Sequence, residues 1–111
     1  FAQAPVYSGT KSALHFWTLG IRPQLRQHNI KVVELLPPVV DTPLAHGADI
    51  AEGDNLKPMP PEKLADAFWR DFVSGKEEIT PGISKQLKLM SRLGPKFIFN
   101  QLNKIPIPRK K

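Results

Sequence analysis

Cysteine is absent from this 111-residue chain. That excludes a disulfide framework and a thiolate-ligated metal centre, and it suits a reducing compartment. The three histidines, His15, His28 and His46, lack metal-ligand spacing, so no metal site is assigned. No apolar run approaches the ~18–20 residues of a bilayer span, and no signal peptide is visible. Acid is missing from one whole region. Residues 81–111 hold eight Lys/Arg and no Asp or Glu, whereas residues 1–80 hold eight Lys/Arg against ten acids. The formal net charge of +6 is therefore a property of the C-terminal segment. The chain also lacks an initial Met. It starts at Phe1, and the expectation is a piece of a longer protein.

What is present is the size and composition of one small domain, with 41% hydrophobic residues. Residues 5–28 read as a helix opened by Pro5, with Ala13, Leu14, Trp17, Ile21 and Leu25 as its apolar stripe. Pro23 predicts a kink or an early end near residues 20–23, because an interior proline removes a hydrogen bond and crowds the Leu19 carbonyl. His28 and Asn29 mark a stop. Residues 30–36 form a continuous apolar run ending at Pro37 and Pro38, the pattern of a buried parallel strand. Helix, short turn and buried strand make half of a βαβ unit.

Residues 37–60 are rich in proline and glycine and read as a long irregular stretch, lid-like from 43 to 60, with a short helix over 43–49. Residues 61–74 read as a second helix, begun by Pro61 and Glu62 and ended by Gly75. Leu64, Ala65, Phe68, Trp69 and Phe72 are its expected buried face. Residues 77–80 make a short strand before Pro81-Gly82. Residues 84–103 are amphipathic and helical, broken at Gly94 and Pro95, and residues 105–111 read as an extended tail.

The segment Tyr7-Ser8-Gly9-Thr10-Lys11 places a phenol and an ammonium four residues apart on the first turns of the long helix, and therefore on one face. An adjacent cation favours a phenolate over a phenol, which suits such a pair to giving and taking protons. Alone the spacing is weak, since many helices carry a packed Tyr beside a solvated Lys. The residues downstream of the pair give it weight.

After the Tyr-x-x-x-Lys helix come the apolar strand, then Pro37-Pro38-Val39-Val40-Asp41-Thr42, a lid-like loop, a helix, a short strand and Pro-Gly. This order resembles the C-terminal half of the short-chain dehydrogenase/reductase family over residues 4–82, and more loosely beyond. The resemblance implies an α/β fold: the C-terminal portion of a Rossmann-like doubly wound parallel sheet, with its last helices and two strands and without the N-terminal strands. Residues 1–83 would be the C-terminal half of the catalytic domain, and 84–111 a basic amphipathic helix and tail.

The resemblance further implies an NAD(P)-dependent enzyme interconverting a small-molecule alcohol and carbonyl. Tyr7 would be the catalytic acid/base. Lys11 would assist it and hydrogen-bond the nicotinamide ribose. Residues 37–42 match the family's Pro-Gly-x-Val-x-Thr segment, so Pro37, Val40 and Thr42 would line the cofactor, Val40 through its backbone and Thr42 through its hydroxyl. A primary amide needs a donor and an acceptor, and backbone beyond a strand's C-terminal edge offers both. Pro38 departs from the family's usual Gly and reads as a subfamily mark. The glycine-rich phosphate loop, the substrate-positioning Ser and the relay Asn belong upstream of Phe1, as do the residues that choose between NAD and NADP. These 111 residues alone are therefore expected to be inactive, with the missing N-terminal half as their first partner.

Family members form dimers or tetramers through the Tyr/Lys helix or the last helix, and Phe16 and Trp17 suit such a homo-oligomer contact. The implied location is cytoplasmic. An alternative reading makes residues 84–111 a non-catalytic interaction module or a membrane-surface anchor. The plainer reading, a C-terminal helix packed on its own domain with a solvated basic rim, is preferred to it. Nucleic acid is disfavoured as a partner because no recognition motif accompanies the charge.

Overall fold

Proline opens four of the five helices among the described residues. A first-turn N–H has no helical partner in any case, and the fixed φ of proline already suits the helix. The computed structural model describes residues 4–47 and 57–104. Helix α1 spans Pro5–Arg26, strand β1 Glu34–Leu35, α2 Pro43–Gly47, α3 Pro61–Val73, β2 Glu78–Ile79, α4 Ile83–Leu93 and α5 Pro95–Leu102.

The chain divides into two compact units, one of Phe1–Val32 with Leu87–Lys111 and the other of Val33–Gln86. The first carries α1, most of α4, and α5. Pro23 does not end α1, which continues to Arg26. Proline deprives the helix of one hydrogen bond, while its backbone angle remains helical. The expected stop at His28 and Asn29 is found. Asn29 is left-handed at φ 59. Its N–H donates to the Arg26 carbonyl and that of Ile30 to the Leu25 carbonyl, both at 3.1 Å. These two bonds satisfy carbonyls that the helix end leaves bare. Arg22 Nε donates to the Val32 carbonyl at 3.3 Å and ties the last turns to the segment after them.

The second unit holds a two-stranded sheet. β1 pairs with β2 in parallel, with Glu34 opposite Glu78 and Leu35 opposite Ile79. The Glu34 and Leu36 N–H groups donate to the Glu77 and Ile79 carbonyls, each at 2.9 Å. The parallel direction agrees with the reading of residues 30–36, although the paired portion is only two residues long. Ile79 is fully buried at its centre. Helix α3 begins and ends where the sequence places it. Gly75, at φ 88, closes it by donating to the Phe72 carbonyl at 3.0 Å, while the Lys76 N–H reaches the Asp71 carbonyl at 3.2 Å.

The expected buried faces differ from those found. On α3, Leu64 and Phe68 are half-buried, but Trp69 is 63% exposed and Phe72 stays at the surface. The rings of Phe68 and Trp69 instead stack on Phe72, with centroids 5.5 and 5.8 Å away. On α1, Leu14 and Trp17 are exposed and Thr18 is the buried residue, its hydroxyl donating to the Leu14 carbonyl at 2.8 Å. Apolar periodicity finds the stripe but does not supply the surface that covers it.

The short helix expected over 43–49 is present as α2, Pro43–Gly47, with Ala45 buried. The central part of the lid-like stretch, 48–56, and the tail 105–111 lie outside the described residues. The break at Gly94 and Pro95 separates α4 from α5 as expected, and Ile98 anchors α5 inward.

Candidate active site

Tyr7 and Lys11 stand one turn apart near the start of α1, where helical geometry brings positions i and i+4 together. The Lys11 ammonium lies over the Tyr7 ring, 5.4 Å from its centroid, a distance at which a cation is attracted to the ring face. Tyr7 is 58% exposed, so its phenol is open to a reactant. Between the two, Thr10 turns its hydroxyl back to donate to the Tyr7 carbonyl at 2.8 Å. That is a local backbone bond, which leaves the phenol and ammonium as the chemically available groups of the turn.

Pro37, Val40 and Thr42 belong to the other unit. Val40 forms a parallel bridge with Met59. The Met59 N–H donates to the Val39 carbonyl at 2.8 Å, and the Asp41 N–H donates to the Met59 carbonyl at 2.9 Å. Met59 therefore engages the two neighbours of Val40, and the pattern of a parallel ladder turns Val40's own N–H and C=O to the opposite edge. The Thr42 hydroxyl lies beside that edge and donates weakly to the Val40 carbonyl at 3.4 Å. A backbone donor, a backbone acceptor and a hydroxyl thus fall within three residues. Within each unit the expected residues come together, Tyr7 with Lys11 and Val40 with Thr42. Pro37 serves as an exposed stop after β1.

Two residues that position this turn carry little sequence signal. Met59 sits between Pro58 and Pro60, where a lone apolar residue reads as loop filler, yet it holds the Val40 bridge. Gly82 reads as part of a simple turn. It has φ +57, and a Cβ on it would lie 2.8 Å from the Met59 Cε atom. Pro81 beside it is buried. The Pro-Gly pair is the one clue that the sequence offers.

A well-formed ion pair lies at the end of α3. Lys76 Nζ stands 2.9 Å from an Asp71 carboxylate oxygen, and Arg70 Nε stands 3.6 Å from it. The hydrogen bond from Lys76 lowers the Asp71 pKa below its ordinary value of 3.8. Desolvation opposes this, and the charges of Lys76 and Arg70 add to it. Among the described residues no group of three or more His, Asp or Glu could hold a metal ion, and no helix is long and apolar enough to cross a membrane.

Residues 1–53 match the short chain dehydrogenase family. An uncharacterized oxidoreductase, DltE, of Bacillus subtilis (strain 168) is 34% identical over 99 residues, which is 89% of this chain and 39% of that protein. Uncharacterized oxidoreductases of Staphylococcus epidermidis and Staphylococcus haemolyticus are 36% and 35% identical over 62 and 66 residues, 26% and 27% of their lengths. No solved structure matches significantly. The chain therefore spans 39% or less of the curated relatives it matches. The match covers the Tyr-x-x-x-Lys helix and the residues after β1, and on it the chain belongs to the short-chain dehydrogenase/reductase family.

Proposed function

We propose that this chain supplies the proton-transfer pair and the carboxamide-binding turn of an NAD(P)-dependent oxidoreductase acting on a small alcohol or carbonyl compound. The observation that carries the reading is the exposed Tyr7 phenol with the Lys11 ammonium over its ring, set in a family of dehydrogenases. The turn fits a nicotinamide carboxamide by its donor set: the outward N–H and C=O of Val40 match an amide's acceptor and donor, and the Thr42 hydroxyl adds a third group. When bound, the dinucleotide supplies hydride transfer. The chain's residues handle the rest. Tyr7 gives its phenolic proton to a carbonyl oxygen in reduction and takes the hydroxyl proton in oxidation. Lys11, kept beside the ring by the helix, offers N–H donors to a ribose hydroxyl.

In this reading residues 1–83 form part of the catalytic domain, and residues 84–111 contribute a basic amphipathic segment. Turnover then needs sheet and phosphate-binding elements of the kind found in full-length relatives. The test is reconstitution. The chain is fused behind the N-terminal portion of the Bacillus relative and assayed with both dinucleotides over a panel of alcohols and carbonyls. The fusion should turn over at least one panel member, and the 111 residues alone should not. Activity of the chain alone, or a well-folded fusion that binds dinucleotide yet stays unaffected by Tyr7→Phe, would overturn the reading.

A further inference from the structure

Residues 88–97 repeat one pattern three times: Lys88 then Leu89, Arg92 then Leu93, Lys96 then Phe97. Within α4 the four-residue interval keeps Leu89 and Leu93 on adjacent turns, and Phe97 stands on the first turn of α5, past the break at Gly94. Leu89 is 59% exposed, Leu93 79% and Phe97 55%. These are not the segment's packing face. That role falls to Ile98, which is buried, and to Leu87 and Leu102, which are half-buried. The segment thus has an inward apolar face and a second, outward one bordered by cations. Arg92 and Lys96 are exposed alongside it, Lys104 lies just beyond, and no acid occurs anywhere in residues 81–111. The single-residue break at Gly94 preserves helical bonding on both sides: the Gly94 N–H donates to the Met90 carbonyl at 2.8 Å and the Ile98 N–H to the Gly94 carbonyl at 3.1 Å.

We infer that residues 88–104 seat this protein on the surface of an anionic lipid bilayer, with the Lys and Arg groups at the lipid phosphates and Leu89, Leu93 and Phe97 in the acyl boundary. A bilayer presents an anionic plane with an apolar layer directly beneath it. The chain offers those two chemistries side by side and repeats them on α4 and on α5. A nucleic acid would match the cations and leave the exposed leucines with nothing. The inference is independent of the catalytic reading, so Tyr7→Phe should leave it unchanged.

The test is flotation of the 111-residue chain with unilamellar vesicles. One set is phosphatidylcholine alone, and the other contains about 30% phosphatidylglycerol, an anionic content at which basic residues are drawn to the surface. Binding should be at least about tenfold stronger to the anionic vesicles and should fall as salt rises from about 0.05 to 0.5 M. Arg92→Glu with Lys96→Glu should remove roughly tenfold or more of that binding. Leu93→Ser with Phe97→Ser, which leaves every charge in place, should weaken it as well. Circular dichroism checks that the variants keep their helices. Should either variant unfold, the lipid and salt series on the unaltered chain decides. Equal binding to neutral and anionic vesicles, or none to either, overturns the inference. So does full binding by the folded Leu93/Phe97 variant, which would make the segment a charge-only surface for a soluble acidic partner.

Discussion

The Lys11 ammonium stands over the face of the Tyr7 ring, 5.4 Å from its centroid. The cation is thus held by the helix and the ring. Two substitutions separate its charge from its shape. In the fused enzyme, Tyr7→Phe should lower kcat by about a hundredfold or more, the usual scale of a lost acid/base. Lys11→Met should lower kcat and weaken dinucleotide binding, because the N–H donors offered to the ribose hydroxyl are lost. Lys11→Arg should retain more activity than Lys11→Met. Unchanged kcat and unchanged dinucleotide affinity in Lys11→Met would remove Lys11 from the site.

Val40 is expected to act through its backbone, which makes an unusual substitution pattern diagnostic. Its N–H takes no part in the Met59 bridge, which uses Val39 and Asp41. Val40→Pro should therefore preserve the bridge while deleting the donor turned to the open edge. Val40→Ala, with the backbone intact, should bind dinucleotide nearly as before, whereas Val40→Pro should weaken binding by about tenfold, the worth of one well-placed hydrogen bond. Thr42→Val should fall between them and Thr42→Ser near the original. Calorimetric titration of the fusion with NADH and NADPH measures this series. Equal affinity in Val40→Pro and Val40→Ala would place the carboxamide elsewhere.

Much of this architecture is legible in the sequence because its signals are local. Pro5 and Pro61 open helices, Asn29 and Gly75 close them in left-handed conformation, and the β-branched run before Pro37 makes a parallel pair. The Tyr7–Lys11 proximity comes from helical spacing alone. What is not legible depends on distant partners. The extent of β1 is set by Glu78 and Ile79, more than forty residues away. The role of Met59 depends on Val40, to which no pattern links it. Trp69 and Leu14 sit on correct apolar stripes yet remain exposed, because a stripe specifies a face and not its cover.

Gly82 and Met59 should be energetically coupled. A Cβ at Gly82 meets the Met59 Cε atom at 2.8 Å, and the φ of +57 disfavours any L side chain. Gly82→Ala should cost about 1–2 kcal/mol from the backbone alone, with a smaller addition from the contact, since a methionine end can move. Adding Met59→Ala should recover the contact part and leave the backbone part. Urea unfolding of the two single variants and the double variant gives the coupling. Strict additivity would show that the two residues do not share a contact.

Asp71 gives the sign of one pH effect. Its pKa is lowered in the folded chain, chiefly by the hydrogen bond from Lys76. A lowered folded value means that the carboxylate stabilises the fold above its ordinary pKa of 3.8, and that this contribution is lost as pH falls through the folded value. Asp71→Asn should therefore lower Tm near neutral pH, and the gap from the unaltered chain should close on acidification below the ordinary carboxylate range. Lys76→Met should act in the same direction. The side chain of Asp71 is 16% exposed and that of Lys76 55%, so part of the effect is open to screening, and added salt should narrow the neutral-pH gap. A Tm difference that stays constant from neutral to strongly acidic pH would mean that Asp71 acts by packing rather than by charge.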